Sequence, residues 1–378
     1  MHQANLQSMS ATPTSPAPER ALLEAARGGD EDAFRRLVEP YRRELQVHCY
    51  RMLGSVHDAE DALQDAMLRA WRGLKSLTDR AALRAWLYRI CTNTCLDLIG
   101  KRPKRVLPMD YAPATDGREG PGEPVVESVW VEPYPDELLD VEDGYATPDA
   151  RYEQREGVEL AFIAALQHLP ATQRAVLILR EVLGYSAKEA AEVLDTSVQS
   201  VNSALQRARK AVEEKLPDAS QQETLRDLGD EGLSELVERY MDAWERNDVE
   251  TVVDMLAEDA TFAMPPLASW FGGRDEIAIF LANSPMSGDW RWKPLRVRAN
   301  GQEALAFYSW DEELGAYVPF ALNVLAFEGD KLSNITAFIT RTAPAPDREV
   351  ILRMPEHEFD ARALAAAFGN FNLPERLS

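Results

Sequence analysis

The chain has 378 residues, 45% of them hydrophobic, and a formal net charge of −22 from 41 basic and 63 acidic side chains. That length exceeds one ordinary domain and the apolar content suffices for packed cores, so two or three domains are expected. The cysteines, Cys49, Cys91 and Cys95, form no even disulfide framework; the Ser/Pro/Ala-rich start through Pro18 lacks a signal-peptide core; and the longest nearly apolar run, Tyr317 to Phe327, is too short to span a bilayer, so a reduced, cytoplasmic protein without membrane contact is expected.

After a disordered tail (1–18), residues 19–105 read as helices joined by short breaks. In GSVHDAEDALQDAMLRAWR (Gly54 to Arg72), Asp58, Glu60, Asp61 and Asp65 crowd the N-terminal half, which suits a helix dipole, while Leu63, Met67, Ala70 and Trp71 form an apolar face. From Arg80 to Arg105 there are seven Arg or Lys and one acid, Asp97. Leu83, Leu87, Ile90, Cys91, Thr94 and Leu98 share one helical face; Trp86, Arg89 and Asn93 share another, bordered by Arg84 and Tyr88. Aromatics interleaved with arginines suit single-stranded nucleic acid, and one of Trp86 and Tyr88 is expected in the core instead. Cys91 and Cys95, without two further ligands nearby, read as buried thiols, so no metal and no cofactor are expected.

Residues 106–152 form an acidic linker: Val106 to Ala150 holds twelve Asp or Glu, one Arg and seven prolines, which favours extended chain. Its apolar stretch VWVEPYPDELL (Val129 to Leu139) is either a docking segment or chance clustering. Residues 153–216 are helical again and contain the pattern of a helix-turn-helix. Ala190 and Ala191 allow close helix approach, Ser197 is a good N-cap, and Val198, Val201, Leu205, Ala208 and Val212 are expected to face the core. The opposite face carries Gln199, Ser200, Asn202, Ser203, Gln206, Arg207, Arg209 and Lys210, groups able to read base edges or hold phosphate, or simply to face water. A short linker (217–230) precedes a domain at 231–345 and a tail at 346–378. That domain opens with an amphipathic helix, Leu233 to Leu256. Strand-like runs follow from Asp259, Pro294, Glu303, Phe320 and Lys331, with a hairpin signal at Gly329-Asp330, an α+β pattern.

The segment Gly54 to Arg72 with LRAWLYRICTNTCLD (Leu83 to Asp97) resembles region 2 of bacterial sigma-70-family factors of the extracytoplasmic-function (ECF) type. Leu169 to Arg209 resembles region 4. The resemblance implies a multidomain chain of two all-α sigma domains joined by the linker. It implies that the helix bearing Asp58, Glu60, Asp61, Gln64 and Asp65 binds the β′ clamp helices of core RNA polymerase, and that region 4 meets the β flap. It implies −10 promoter contacts through Thr78, Arg80, Arg84, Trp86, Tyr88, Arg89 and Asn93, with Thr78 to Ala82 taking a flipped base. Residues Ser197 to Lys210, Ser197 included, would read the −35 element. Val201-Asn202-Ser203-Ala204-Leu205 departs from a frequent V-K-S-R-L and loses two cations, so the −35 sequence is expected to differ. Asp195 stands where Gly is frequent.

The C-terminal third resembles SnoaL-like domains, which implies a cone-shaped α+β fold with a pocket. Aromatic pocket residues are expected at Phe262, Trp270, Trp292, Tyr308, Trp310 and Phe338. Catalytic members commonly use an Asp/His pair; Asp259 is present, but the only histidine after Glu231 is His357, so no catalysis is expected. The implied function is a sigma factor modulated by its own C-terminal domain, which would touch the sigma domains or the linker near Trp130 to Tyr134, with a small-molecule ligand as a further partner. A polymerase-independent repressor or activator, and a cyclase-like enzyme with a DNA-binding extension, are the alternatives.

Overall fold

The computed structural model describes residues 16–77, 82–122, 125, 129–139, 156–217, 219–340 and 368–378. Helices α1 (Pro16–Arg27), α2 (Glu31–Val38), α3 (Arg42–Leu53), α4 (Val56–Gly73) and α5 (Leu83–Ile99) form a first bundle. Gly54, at φ 70°, ends α3 in a left-handed conformation that a side chain would strain, and Ser55 starts α4 by accepting the Asp58 N–H at 3.1 Å. All three cysteines are buried in this bundle. A hydrogen bond with Cys49 and burial push the Cys91 thiol well up, so it is an unreactive core group.

The short helix α6 (Pro108–Tyr111) opens the linker, whose described residues up to Leu139 add a turn at 117–119 and one 3-10 turn, Asp136–Leu138. The second bundle holds α7 (Leu160–Gln167), α8 (Ala171–Leu177), a π-helical continuation (Ile178–Val182), α9 (Ala187–Val193) and α10 (Val198–Glu213). Ser186 and Glu189 build a capping box on α9. Asp195 turns the chain at φ 51°, a left-handed position that Asp tolerates better than most residues, and Ser197 caps α10 by accepting from Ser200 N at 3.1 Å. Ala190 and Ala191 are buried, as expected, but Val198 is 42% exposed: it sits in the first turn of α10, ahead of the contact with α9.

The C-terminal domain follows. Helix α11 (Gln221–Glu245) takes up most of the stretch expected as the second linker, with a Ser220/Glu223 capping box at its start and a kink at Gly229. There follow α12 (Val249–Met255), β1 (Leu256–Ala263), β2 (Trp270–Gly272), α13 (Arg274–Asn283), β3 (Trp292–Ala299), β4 (Gln302–Asp311), β5 (Ala316–Glu328) and β6 (Lys331–Ile339). The sheet order is β2-β1-β6-β5-β4-β3, parallel only at β1–β6. Side chains alternate between faces. Leu305, Phe307 and Leu325 join the helices of the domain in one core. Ala304, Ala306, Tyr308, Val324 and Phe338 face the other way, into a core shared with both helical bundles. The end of the chain also docks there: Phe368 and Phe371 are buried, and Pro374 O accepts from the Tyr308 hydroxyl at 2.8 Å. Among the described residues no helix is long and apolar enough to cross a membrane.

Candidate nucleic-acid interface

Along α10, Gln199, Ser200, Asn202, Gln206, Arg207, Arg209 and Lys210 are exposed on the face opposite the buried Val201, Leu205 and Ala208, and Ser197 is exposed at its cap. Ser203 is half-buried. Arg209 is held by Glu181 at 2.8 Å. On α5, Arg89 and Asn93 are exposed and Trp86 is half-buried against Gly73. Tyr88 is fully buried, so of the two aromatics it is the core residue; its hydroxyl donates to Glu44 at 3.2 Å. Arg84 stacks on that ring at 5.0 Å and pairs with Glu44 at 2.6 Å. Thr78 and Arg80 lie outside the described residues.

On α4, Asp61, Gln64 and Asp65 are exposed and Glu60 is half-buried. Asp58 differs from the expectation: it is buried beneath Arg102 and Arg105, the latter at 2.6 Å, because the chain after Pro103 folds back over the start of α4. A surface contact through this carboxylate is therefore ruled out in this arrangement.

The two bundles touch directly. Arg51 Nε donates to Gly157 O at 2.8 Å, Arg174 donates to Met52 O and Gln167 Nε2 to Arg51 O, and the rings of Tyr88 and Tyr185 lie 5.8 Å apart. Burial lowers the pKa of both Arg51 and Arg174 to about 10, so this junction holds desolvated cations.

The linker and the C-terminal domain lock that junction. Glu132 accepts from Val56 N at 2.9 Å and from Arg105 at 3.3 Å, and its own N–H reaches Gly54 O at 2.9 Å. Tyr134 packs on Tyr50 with centroids 4.5 Å apart and the rings tilted by 39°. Into this seam the β3–β4 hairpin inserts its tip, Asn300-Gly301, both at positive φ. Asn300 is fully buried. Its N–H donates to Tyr134 O and its Oδ1 accepts from Tyr134 N, each at 2.8 Å; its Nδ2 donates to Tyr50 OH at 2.8 Å and to Val158 O at 2.7 Å. One side chain thus ties the first bundle, the linker and the start of the second bundle. Asp136 adds a bond from Gly301 N at 2.7 Å, and Gln302 Oε1 accepts from Leu160 N at 2.8 Å. Sequence reading missed this residue, although Asn-Gly between two alternating runs is a strong hairpin signal.

Beside the tip, Glu159 caps α11, accepting from Gln221 N at 3.2 Å and Gln222 N at 3.0 Å. Burial raises its pKa from 4.5 to about 7, against those hydrogen bonds, with Glu156 adding to the rise. The closed arrangement therefore binds an extra proton between those two values. Through Glu159 alone the arrangement is favoured below about 4.5, and this contribution, at most about 3 kcal/mol, is lost progressively as pH rises from there through about 7. Hydrogen exchange at Gln221 and Gln222 is expected to speed up over this interval beyond its intrinsic pH dependence, and Glu159→Gln to abolish that excess.

The C-terminal domain carries a half-open pocket of about 60 Å3 whose wall includes Phe262 and Trp292, two of the expected six. Tyr308 and Phe338 lie on the opposite face of the sheet by strand alternation. Trp270 donates through its indole to Ala112 O at 2.8 Å, and Trp310 packs on Tyr317, 5.1 Å between centroids; neither lines the cavity. Trp244, Phe280, Phe307 and Phe320 do, and were not anticipated. Asp259 is exposed.

Residues 37–105 match the Sigma-70 region 2 family, 159–212 match Sigma-70 region 4, and 237–335 match the SnoaL-like domain. The chain is 40% identical over 321 residues to the ECF RNA polymerase sigma factor SigG of Mycobacterium tuberculosis, covering 84% of this chain and 83% of that one. It is 30% identical over 197 residues to SigW of Bacillus subtilis, covering 52% and 95%. In fold it is similar to the crystal structure of the M. tuberculosis extracytoplasmic function sigma factor SigJ, with a TM-score of 0.50 at 22% identity, over 79% of this chain and 93% of that one. With region 2 and region 4 in this order and a SnoaL-like domain fused behind them, the chain belongs to the ECF family of RNA polymerase sigma factors, which direct transcription initiation.

Proposed function

We propose that the SnoaL-like domain is a built-in inhibitor that clamps regions 2 and 4 together, and that engagement with core polymerase and promoter requires the clamp to open. The observation that carries this is the Asn300 wedge across region 2, linker and region 4. By their names, the −10 and −35 elements are about 25 base pairs apart, roughly 85 Å of duplex at 3.4 Å per pair. With Tyr88 of α5 and Tyr185, just ahead of the helix-turn-helix, 5.8 Å apart, α5 and α10 cannot serve both elements at once. In the open state, exposed Asp61, Gln64 and Asp65 contact the β′ clamp helices, Arg89, Asn93 and Trp86 the melted −10 strand, and the outer face of α10 the −35 duplex. Among the described residues, no carboxylate, imidazole or lysine lines the pocket of the C-terminal domain.

The test is energy transfer between dyes attached through Glu31→Cys and Glu213→Cys, both exposed positions, since the native cysteines are buried. High transfer is expected in the free chain and low transfer in the complex with core polymerase and promoter. High transfer persisting in an initiating complex would overturn the clamp.

A further inference from the structure

Val198 is an apolar side chain on a polar face. It opens α10 directly after the Ser197 cap and is 42% exposed. Among the described residues, only Leu68, Tyr111 and Leu314 are large apolar side chains of comparable exposure, and none of them lies on the helix-turn-helix. Stability gives no reason for a valine at this position. No core receives it, and a β-branched residue has a lower helix propensity than alanine.

The neighbours of Val198 divide into groups already engaged and groups left available. The Ser197 and Ser200 hydroxyls lie 2.9 Å apart and close the cap, with Ser200 N donating to Ser197 Oγ at 3.1 Å. Arg209 is paired with Glu181. The carboxamides of Gln199, Asn202 and Gln206 are exposed, and no hydrogen bond holds them among the described residues. Asn202 stands one turn beyond Val198, at i+4, and Gln206 one turn beyond that, so the three run along one edge of the exposed face. The cations of the helix all come later, from Arg207 onward.

That order has chemical consequences on duplex DNA. The N-terminal residues of a recognition helix meet base edges in the major groove, whereas phosphate contacts fix register without reading sequence. In the groove, guanine is read by Arg or Lys, adenine by the amide of Asn or Gln, and thymine by apolar contact with its C5-methyl group. The first two turns of α10 hold no cation, so they lack the guanine reader; they do hold an apolar side chain beside carboxamides. We propose that Val198 is a specificity-determining residue of the −35 contact: its methyl groups pack on the C5-methyl of a thymine, and Asn202 pairs with the adenine of a neighbouring A·T pair. This rests on the reading above in which the outer face of α10 meets the −35 duplex. It gives the helix a way to tell thymine from cytosine, which carries no methyl group, without using a charge.

The experiment uses the full chain with core polymerase, on promoters selected by transcription from a library randomised through the −35 and −10 regions. Each thymine of the selected −35 block is replaced singly by deoxyuridine, which removes the methyl group and keeps the base pairing. Promoter affinity is then measured for the parent and for Val198→Ala, a substitution at an exposed helical position. At one thymine, uracil is expected to weaken the parent about 4-fold, the worth of one buried methyl group, and to have no effect on Val198→Ala. Asn202→Ala is expected to relax selection at the adjacent pair while keeping the uracil effect; unchanged selection removes the adenine contact. A −35 block without an A·T pair, uracil tolerated at every thymine, or a uracil effect that survives in Val198→Ala overturns the assignment of Val198. Failure of the underlying reading looks different and takes the proposal with it: selection would return no preferred bases in the −35 region, and Lys210→Ala would leave the salt dependence of promoter binding unchanged.

Discussion

Asn300→Ala is expected to raise promoter-dependent transcription at limiting factor by at least about 10-fold and to expand the free chain. The substitution deletes three side-chain hydrogen bonds and leaves Tyr134 N–H and Val158 C=O buried without their partner. Each such orphan costs about 1–3 kcal/mol. Asn300 also sits at φ 57°, where Ala is less tolerated than Asn, worth roughly 1 kcal/mol more. The sum is on the order of 3 kcal/mol or above, about a hundredfold in the closed–open equilibrium. Asn300→Asp keeps the acceptor and the tolerance of positive φ but loses both donor bonds and sets a buried carboxylate against the Val158 carbonyl, so it is expected to open the clamp at least as far as Asn300→Ala. Run-off transcription with core polymerase and small-angle scattering of the free protein check the pair. An Asn300→Ala chain that opens in scattering but initiates no better than the parent would sink the inhibitory role of the wedge.

The parts of this molecule that obey one local period were legible in its sequence. The core face of α10 followed helical spacing from Val201 to Val212, and the hairpin at Gly329-Asp330 followed its turn signal. Val198 failed because a helix's first turn can project beyond the neighbour that buries the rest. The aromatic pocket was legible for two of six residues: residue type marked Trp292 and Phe262, but whether Tyr308 or Phe307 faces the cavity depends on strand register, which a one-residue shift reverses. The docking of VWVEPYPDELL was visible as an excess of apolar residues in an acidic linker, and its burial at Val131 and Tyr134 explains that excess. Its receptor was not visible, because Tyr50, Asn300 and Val158 are brought together only by the packing of three domains.

Asp58 shows how a shared spacing can conceal two different roles. Asp58, Asp61 and Asp65 recur at intervals that place them along one side of α4, and the resemblance to region 2 implies a common partner for them. The fold separates them, because Arg102 and Arg105 close over the first turn while the later turns stay open. Asp58→Ala removes the carboxylate facing buried Arg105, leaving that guanidinium with Glu132 at 3.3 Å and the Trp130 carbonyl. Breaking one side of a buried pair costs about 3–5 kcal/mol, so the thermal transition of the region 2 bundle is expected to fall by roughly 12–24 °C even at the lower bound. Asp65→Ala removes an exposed partner of Arg69 and is expected to leave that transition within about 1–2 °C, while weakening core polymerase binding several-fold. Calorimetry and polymerase titration on the two variants separate the roles. If Asp58→Ala kept its thermal stability and lost only polymerase affinity, the carboxylate would be a polymerase contact and its burial under the two arginines a feature of the closed state alone.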